Sequence, residues 1–181
     1  MKVEEVYLSG CYVITPNVFE DKRGCFHESF NRKIFKELTG IDVDFVQDNV
    51  SQSLKGVLRG LHFQTGIHSQ AKLVQVIKGR ILDICVDLRH ESETFGKHFS
   101  IYLDSLERKQ LYIPRGFAHG FLVLENNTIV MYKCDNSYAK FAESGIIFND
   151  KALNINWNFP EEKMIISEKD KSLQTFESLF N

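Results

Sequence analysis

The sequence predicts an all-β protein, a jelly-roll β-sandwich with short peripheral helices. Three observations support this fold class. About ten short segments have the alternating or continuously apolar character of strands, turn signals such as Lys78-Gly79 and Asn126-Asn127 separate several of them, and only two stretches have helical character. Because 181 residues suffice for one ordinary core, residues 1–181 are expected to form a single domain.

The predicted strands follow one another along most of the chain. Residues 81–88 (ILDICVDL) alternate, with branched apolar side chains on one face and Asp83 and Asp87 on the other. Together with residues 73–77, across the Lys78-Gly79 turn, this segment is expected to form a hairpin with one solvated side. The other predicted strands are residues 12–19, 45–51, 57–64, 98–103, 111–114, 120–124, 129–133 and 145–148.

The two predicted helices are short and peripheral. Asn31 is a suitable N-cap for a helix over residues 32–39, and Gly40 is a suitable end. Near the C-terminus, Ser167 and Asp170 have the spacing of a capping box. The apolar side chains that follow predict one capped C-terminal helix with a single apolar side; they are Leu173, Phe176, Leu179 and Phe180.

The overall composition is that of an ordinary globular protein, with 43% hydrophobic and 25% charged residues. A formal net charge of −2 gives no electrostatic reason to expect nucleic acid or an anionic membrane as a partner. The four cysteines lack CxxC spacing, so a reduced, cytoplasmic protein is expected. The N-terminal sequence MKVEEVYLSG lacks the basic and apolar regions of a signal peptide.

Two strand-like stretches contain histidines among apolar residues, GVLRGLHFQ (56–64) and PRGFAH (114–119). Their spacing resembles that of the cupin superfamily of jelly rolls, whose metal-binding members use two histidines, a glutamate and a final histidine. Here Gln64 replaces the second histidine and Lys72 the carboxylate. Because an ammonium group repels a divalent cation at close range, no metal is expected in this pocket.

The remaining side chains suit proton transfer. A neutral imidazole with a pKa near ~6.5 can remove a proton at neutral pH, and a neighbouring lysine can stabilise the resulting enolate oxygen. The pair His62 and Lys72 therefore predicts proton abstraction α to a carbonyl. Arg59 lies between two leucines, which favours an anionic partner, either a ligand phosphate or an internal carboxylate.

Each of these residues also has a structural interpretation when it is considered alone. His62 and His119 can be hydrogen-bonded strand histidines, and Lys72 can be a solvated cation at the end of a strand. Tyr132 can be a packing residue, and Arg23 can lie in a surface turn. Asp170 has the capping interpretation given above.

Six motifs in this order cover most of the chain, and together they resemble the family of nucleotide-sugar 3,5-epimerases. They are DKRGCFHESFN, FVQDNVSQSLKGVLRGLHFQ, KLVQVIKGRILDICVDLR, TFGK, LYIPRGFAHGFLVL and SEKD. The resemblance implies a cofactor-independent isomerase that epimerises C3 and C5 of a dTDP-4-keto-6-deoxyhexose, converting dTDP-4-dehydro-6-deoxy-D-glucose to dTDP-4-dehydro-L-rhamnose. It also implies a role in making dTDP-rhamnose for cell-surface polysaccharide.

The resemblance implies a role for each matching residue. His62 matches the base and Asp170 the carboxylate paired with it, while Lys72 lies near the sugar O4 and Tyr132 matches the acid on the opposite face. His119 and Arg59 match contacts to the diphosphate and sugar. The remaining expected substrate-binding residues are Gln47, Asn49, Ser51 and Tyr138, together with Arg23, Phe26 and Glu28, which reach the nucleotide from the partner subunit.

A homodimer is therefore implied, with residues 1–50 contributing to it and residues 157–181 packing back on the barrel. Cys25 and His27 flank Phe26 where bulkier aromatic residues are expected, and Tyr112 stands where tryptophan is common, so the nucleotide base stays open. The alternatives are an epimerase acting at C3 or C5 alone, a ketoisomerase, a metal-dependent cupin oxygenase and a non-catalytic sugar-nucleotide binding module.

Overall fold

The computed structural model describes residues 1–180, which form fourteen strands and three α-helices. The helices are α1 (Arg32–Thr39), α2 (Glu168–Lys171) and α3 (Phe176–Phe180). The strands are β1 (Lys2–Glu5), β2 (Tyr12–Thr15), β3 (Val18–Asp21), β4 (Gly24–His27), β5 (Gln47–Ser53), β6 (Val57–Gln64), β7 (Lys72–Lys78), β8 (Arg80–Asp87), β9 (His98–Asp104), β10 (Gln110–Ile113), β11 (Phe117–Val123), β12 (Thr128–Cys134), β13 (Glu143–Gly145) and β14 (Ile165–Ile166).

Two sheets make up the body of the protein, so the predicted cupin-type jelly-roll β-sandwich is confirmed. The first sheet has the strand order β1-β2-β10-β7-β12-β5, and the second has the order β13-β6-β11-β8-β9. The strands pair antiparallel, apart from β14, which runs parallel to β6. A separate two-stranded sheet of β3 and β4 is called the arm below.

Strands β7 and β8 follow each other directly, but the predicted hairpin between them is wrong. Strand β7 pairs with β10 and β12, whereas β8 pairs with β9 and β11. Gly79, with φ +84°, turns the chain from the first sheet into the second. A Cβ atom at this position would lie 2.2 Å from the Thr128 hydroxyl, so the turn depends on glycine.

The predicted solvated face of β8 is also wrong, because both of its faces are buried. Leu82, Ile84 and Val86 pack under the C-terminal segment, in a cluster with Trp157. The opposite face, which carries Asp83, points into the interior between the sheets. There the apolar side chains of the two sheets form the central core; among them are Val74, Ile81, Cys85, Leu111, Phe121 and Val130.

Helix α1 confirms the prediction for residues 32–39. The Asn31 side-chain oxygen accepts from the Ile34 N–H at 3.2 Å, and Gly40 ends the helix with φ +75°. Phe35 packs from this helix against Leu73 of the first sheet. The sequence thus encodes both ends and the buried face of this element.

The single C-terminal helix that the sequence predicts is wrong. Ser167 does cap a helix, α2, but this helix ends at Lys171 and α3 begins only at Phe176. Between them the chain is held by backbone pairing, in which the Ile147 N–H donates to the Gln174 carbonyl at 2.9 Å. Tertiary pairing therefore overrides the local helical pattern.

Strand boundaries differ from the prediction in two further places. The predicted strand 12–19 is divided into β2 and β3 at Pro16, which cannot donate to a sheet ladder. The predicted strand 145–148 begins earlier and is short, as β13. Among residues 1–180, no helix combines the length and the hydropathy needed to cross a bilayer.

Candidate active site

A cavity of about 590 Å³ opens between the two sheets and is bounded by the C-terminal segment. A smaller cavity of about 220 Å³ shares four of its residues and adds Gln47, Tyr138 and Glu143. The larger cavity brings together eight of the residues predicted from the sequence: Asn49, Ser51, Arg59, His62, Lys72, His119, Tyr132 and Asp170. These residues come from β5, β6, β7, β11 and β12 and from α2.

The centre of the second-sheet wall is a histidine paired with a carboxylate. His62 Nε2 lies 2.9 Å from Asp170 Oδ1, and the other Asp170 oxygen accepts from the Gly60 N–H at 3.2 Å. Burial raises the pKa of Asp170, but its hydrogen bonds to His62, Gly60 and Ser167 outweigh burial and lower it. The carboxylate is therefore ionised at neutral pH and able to stabilise an imidazolium.

Two local features hold this pair in place. Gly60 lies so close to β11 that a Cβ atom would be 2.5 Å from the Gly120 Cα, which lets β6 and β11 place His62 opposite His119 in the ladder. Strand β14 pairs with the first residues of β6, and Ser167 then caps α2 by accepting from the Asp170 N–H at 3.1 Å. Asp170 therefore serves both in the capped turn of α2, through its backbone N–H, and as the partner of His62, through its carboxylate.

The first sheet supplies Lys72 and Tyr132 to the opposite wall. Burial lowers the pKa of Lys72, while negative charge at Cys134, Asp83 and Glu143 would raise it. Burial raises the pKa of Tyr132, so its phenol stays protonated at neutral pH. One wall of the cavity thus holds an imidazole paired with a carboxylate, and the other wall holds a phenol and an amine.

Arg59 reaches the cavity without a carboxylate partner. Its guanidinium donates to the Ser53 hydroxyl, at 3.3 Å from Nη2 and 3.4 Å from Nε, and it forms no salt bridge with any residue from 1 to 180. The internal salt bridge that the sequence left open is therefore not formed. Ser51 Oγ is buried on the same strand as Ser53 and lacks a hydrogen-bond partner in the described chain. The Arg59 guanidinium and the Ser51 hydroxyl therefore both have unused capacity to bind a polar ligand.

His119 is buried, and its partner is a residue that sequence reasoning missed. His119 Nε2 lies 2.7 Å from Asp83 Oδ1, and the Asp83 side chain is fully buried. The alternation of residues 81–88 does reveal that Asp83 and Asp87 share one face. Nothing in that pattern shows that this face lines the interior of a sandwich.

The smaller cavity is closed by a second group of polar residues. Glu143 Oε2 accepts from the Tyr138 hydroxyl at 2.8 Å and from Lys169 Nζ at 2.5 Å. Gln47 accepts from the Tyr138 N–H at 2.9 Å and donates to Asn49 at 3.0 Å. Glu143 was not expected from the sequence, since the short β13 carries no motif around it.

The position of the second cupin histidine is occupied by an amide with a structural hydrogen bond. The side-chain oxygen of Gln64 accepts from the Ala139 N–H at 2.9 Å. Within residues 1–180, no group of three or more histidine, cysteine, aspartate or glutamate side chains converges as a metal site would require.

Three predicted binding residues do not line either cavity. Arg23 lies on the arm and forms an exposed ion pair with Asp21, and Phe26 on β4 is 70% exposed. Glu28 follows the arm and accepts from the Asn31 side chain at 3.3 Å. The structure therefore does not bring these residues to the cavity of their own chain.

Comparisons with known proteins agree on one family. A family model described as dTDP-4-dehydrorhamnose 3,5-epimerase matches residues 5–178. The chain is similar to the dTDP-4-dehydrorhamnose 3,5-epimerase of Shigella flexneri, with 46% identity over 97% of this chain and 96% of that protein.

Two solved structures are similar to this chain in fold as well as in sequence. The enzyme of the same name from Elizabethkingia anophelis is 52% identical, covers 98% of this chain and 97% of its own, and superposes with a TM-score of 0.95. A dTDP-6-deoxy-D-glucose-3,5-epimerase from Legionella pneumophila, solved in complex with dTDP-4-keto-L-rhamnose, is 39% identical, covers 99% and 94%, and has a TM-score of 0.94.

Proposed function

The chain belongs to the dTDP-4-dehydrorhamnose 3,5-epimerase family, and on this premise we propose that His62, Asp170, Lys72 and Tyr132 perform the reaction. The family resemblance predicted from the motifs is confirmed. The protein is an isomerase that epimerises C3 and C5 of a dTDP-4-keto-6-deoxyhexose, converting dTDP-4-dehydro-6-deoxy-D-glucose to dTDP-4-dehydro-L-rhamnose.

One observation supports these catalytic roles above all others: the base and the acid enter the cavity from opposite sheets. The His62 imidazole and Asp170 lie on the wall of the second sheet, and Tyr132 lies on the wall of the first. Inversion at a carbon requires a proton to leave from one face and return to the other. A sugar ring held between the two walls would have His62 at one face and Tyr132 at the other.

The chemistry follows from the substrate. The protons on C3 and C5 are both α to the C4 ketone, so His62 can remove each of them once the enolate oxygen is stabilised. The Lys72 ammonium supplies that stabilisation, because a positive charge placed at the developing oxyanion lowers the energy of the enolate. Tyr132 then donates its phenolic proton to the opposite face of the same carbon, which restores the C4 ketone. The His62 imidazolium releases its proton to solvent and the Tyr132 phenolate takes one up, which resets the site.

The nucleotide part of the substrate accounts for the unused polar groups. Arg59 has no carboxylate partner in the described chain, and a guanidinium binds a diphosphate with paired hydrogen bonds. His119, Ser51 and Asn49 line the same cavity. Gln47 and Tyr138 contribute to the smaller cavity next to His62.

We also propose a homodimer, which accounts for two exposed apolar features, the arm and the edge strand β5. A hairpin of two strands is marginally stable alone, and this one exposes the cross-strand pair Phe19 and Phe26. Strand β5 is an open edge of the first sheet, with Val50 67% exposed on it. A second copy would cover these apolar groups and place Arg23, Phe26 and Glu28 at the partner's nucleotide.

The test of the reaction uses dTDP-4-keto-6-deoxyglucose in deuterated buffer without added metal. The proposal predicts deuterium at both C3 and C5, and L-rhamnose configuration after reduction of the product. Exchange at one carbon alone would identify an epimerase of narrower action, and a ketone moved to C3 would identify a ketoisomerase. Binding without any exchange by the folded protein would contradict the proposed roles of the four residues.

The test of the dimer is complementation between two inactive variants. Neither His62→Asn nor Arg23→Ala alone should turn over well. In a mixed dimer, one of the two sites has an intact His62 and receives an intact arm, so remixed subunits should regain about a quarter of wild-type activity. No recovery would show that Arg23 does not act in the partner's site. We also infer that the enzyme works in the cytoplasm as a single domain.

A further inference from the structure

Asp83 is a buried carboxylate that the proposed mechanism does not use. Its side chain is 0% exposed on β8, and Oδ1 lies 2.7 Å from His119 Nε2. Its second oxygen, Oδ2, is also buried and has no hydrogen-bond partner within residues 1–180. A buried ionised oxygen without a partner is costly unless a charge of opposite sign lies near it.

Lys72 lines the same cavity as His119 and enters it from the other sheet. Burial lowers the pKa of Lys72, and Asp83 is one of the groups whose negative charge would oppose this effect. The other titratable groups on the strands around Lys72 are Cys134, Glu143, His62 and Tyr132.

Among these groups, Asp83 is the carboxylate that has one oxygen without a hydrogen-bond partner in the described chain. Glu143 already accepts from Tyr138 and Lys169. Burial raises the pKa of the Cys134 thiol, so this side chain stays neutral. Asp83 is thus the carboxylate of this group whose second oxygen has no hydrogen-bond partner within residues 1–180.

We propose that Asp83 is a positioning residue of the epimerase site, acting through His119 and Lys72. Oδ1 accepts the proton on His119 Nε2, which fixes the ring and leaves Nδ1 as the nitrogen free for a ligand. Oδ2 provides the negative charge that keeps Lys72 an ammonium group before the enolate forms. This inference rests on the proposed role of Lys72, because a neutral amine could not stabilise the enolate oxygen.

The experiment compares kcat across pH for wild type, Asp83→Asn and a matched control, Asp150→Asn. Asp150 is also buried, at 5% exposure, but it bonds to the Leu153 and Phe176 backbone away from the cavity. Loss of a nearby negative charge favours the neutral amine of Lys72. The alkaline limb of the kcat–pH profile of Asp83→Asn should therefore move down by about one pH unit. The value of kcat at neutral pH should fall about tenfold or more, and the limb of Asp150→Asn should not move.

A second variant, Asp83→Glu, keeps the inference testable if Asp83→Asn folds poorly, and a double variant tests whether Asp83 acts through Lys72. Asp83→Glu retains the charge and should keep the alkaline limb near its wild-type position, while a limb that moves as in Asp83→Asn would overturn the charge role. In a Lys72→Met background, the part of the loss that depends on Lys72 cannot occur again, so Asp83→Asn should lower kcat by clearly less than it does in the wild type.

The inference is overturned if Asp83→Asn lowers only the melting temperature and leaves kcat and its pH dependence like those of Asp150→Asn. Full additivity with Lys72→Met would overturn it too. The proposed function is tested separately by wild-type exchange at C3 and C5. If the wild type is active and Asp83→Asn behaves like the control variant, only the role of Asp83 is refuted, and the proposed function stands.

Discussion

The imidazole of His62 and the carboxylate of Asp170 lie 2.9 Å apart, although 108 positions separate them in the chain. Strand β14 brings the C-terminal segment alongside β6, and the capped turn of α2 directs Asp170 back to the sheet. An imidazole that takes a proton becomes a cation, and a fixed carboxylate stabilises that cation. The proposed base and its carboxylate partner therefore come from opposite halves of the chain.

Replacing His62 with asparagine should abolish the base while keeping the cavity closed. We expect kcat to fall by ~10² or more with the binding of dTDP largely retained, because the diphosphate contacts lie elsewhere in the cavity. Turnover and nucleotide titration measure the two effects. The control is His68→Asn, in a loop that packs on Phe141 outside both cavities. Wild-type turnover by His62→Asn would exclude it as the base.

Asp170→Asn separates the catalytic role of this residue from its place in the capped turn. Its backbone N–H still donates to Ser167 in the variant, so the melting temperature should stay close to that of the wild type. The charge that stabilises the imidazolium is lost, and kcat should fall by about 10². A lower melting temperature with unchanged kcat would show that the carboxylate serves only the fold.

Some elements could be predicted because their signals are local. The cap at Asn31 and the glycine at position 40 define α1 to the residue. His62 and Lys72 were predicted from motif spacing and Tyr132 from the family resemblance, and the cavity does contain all three. In each case, neighbours in the sequence are sufficient to determine the local conformation or to match the motif.

The features that the sequence did not predict depend on which sheet a strand joins. Gly79 has the appearance of a hairpin turn, yet it crosses between sheets. Aspartates alternating along a strand are typical of a solvent-exposed face. Here that face lines the interior of the sandwich, where Asp83 contacts His119. Glu143 is contacted by Lys169 of the C-terminal segment, and periodicity along one strand carries no information about such long-range neighbours.

Tyr132→Phe tests whether proton return comes from the wall opposite His62. Without the phenol, His62 can still remove a proton and give it back to the same face, so deuterium should still enter C3 or C5 while net inversion falls by about 10². Mass spectrometry follows the exchange, and NMR of the sugar follows the inversion. Tyr102→Phe, on the partly exposed β9, is the control. Equal loss of exchange and inversion would contradict a purely acidic role for Tyr132.

Asp87 should make the fold sensitive to acid. The buried carboxylate accepts from the Arg89 guanidinium at 2.7 Å and from the hydroxyls of Ser92 and Thr94 at 2.6 and 2.7 Å. Burial raises its pKa, but these bonds outweigh burial and lower the pKa from 3.8 to about 2. Because the folded-state pKa is below the unfolded one, the stabilisation is complete above about pH 4 and is lost as the pH falls towards 2.

The shift of the Asp87 pKa corresponds to about 2.5 kcal/mol in the free energy of unfolding. Asp87→Asn should therefore be less stable than wild type by about that amount at pH 7, and the difference should shrink as urea titrations are repeated from pH 4 down to pH 2. Asp48→Asn, an exposed partner of Lys133, is the control and should differ little at any pH. A difference for Asp87→Asn that persists unchanged at pH 2 would show that packing, rather than charge, gives this carboxylate its stabilising effect.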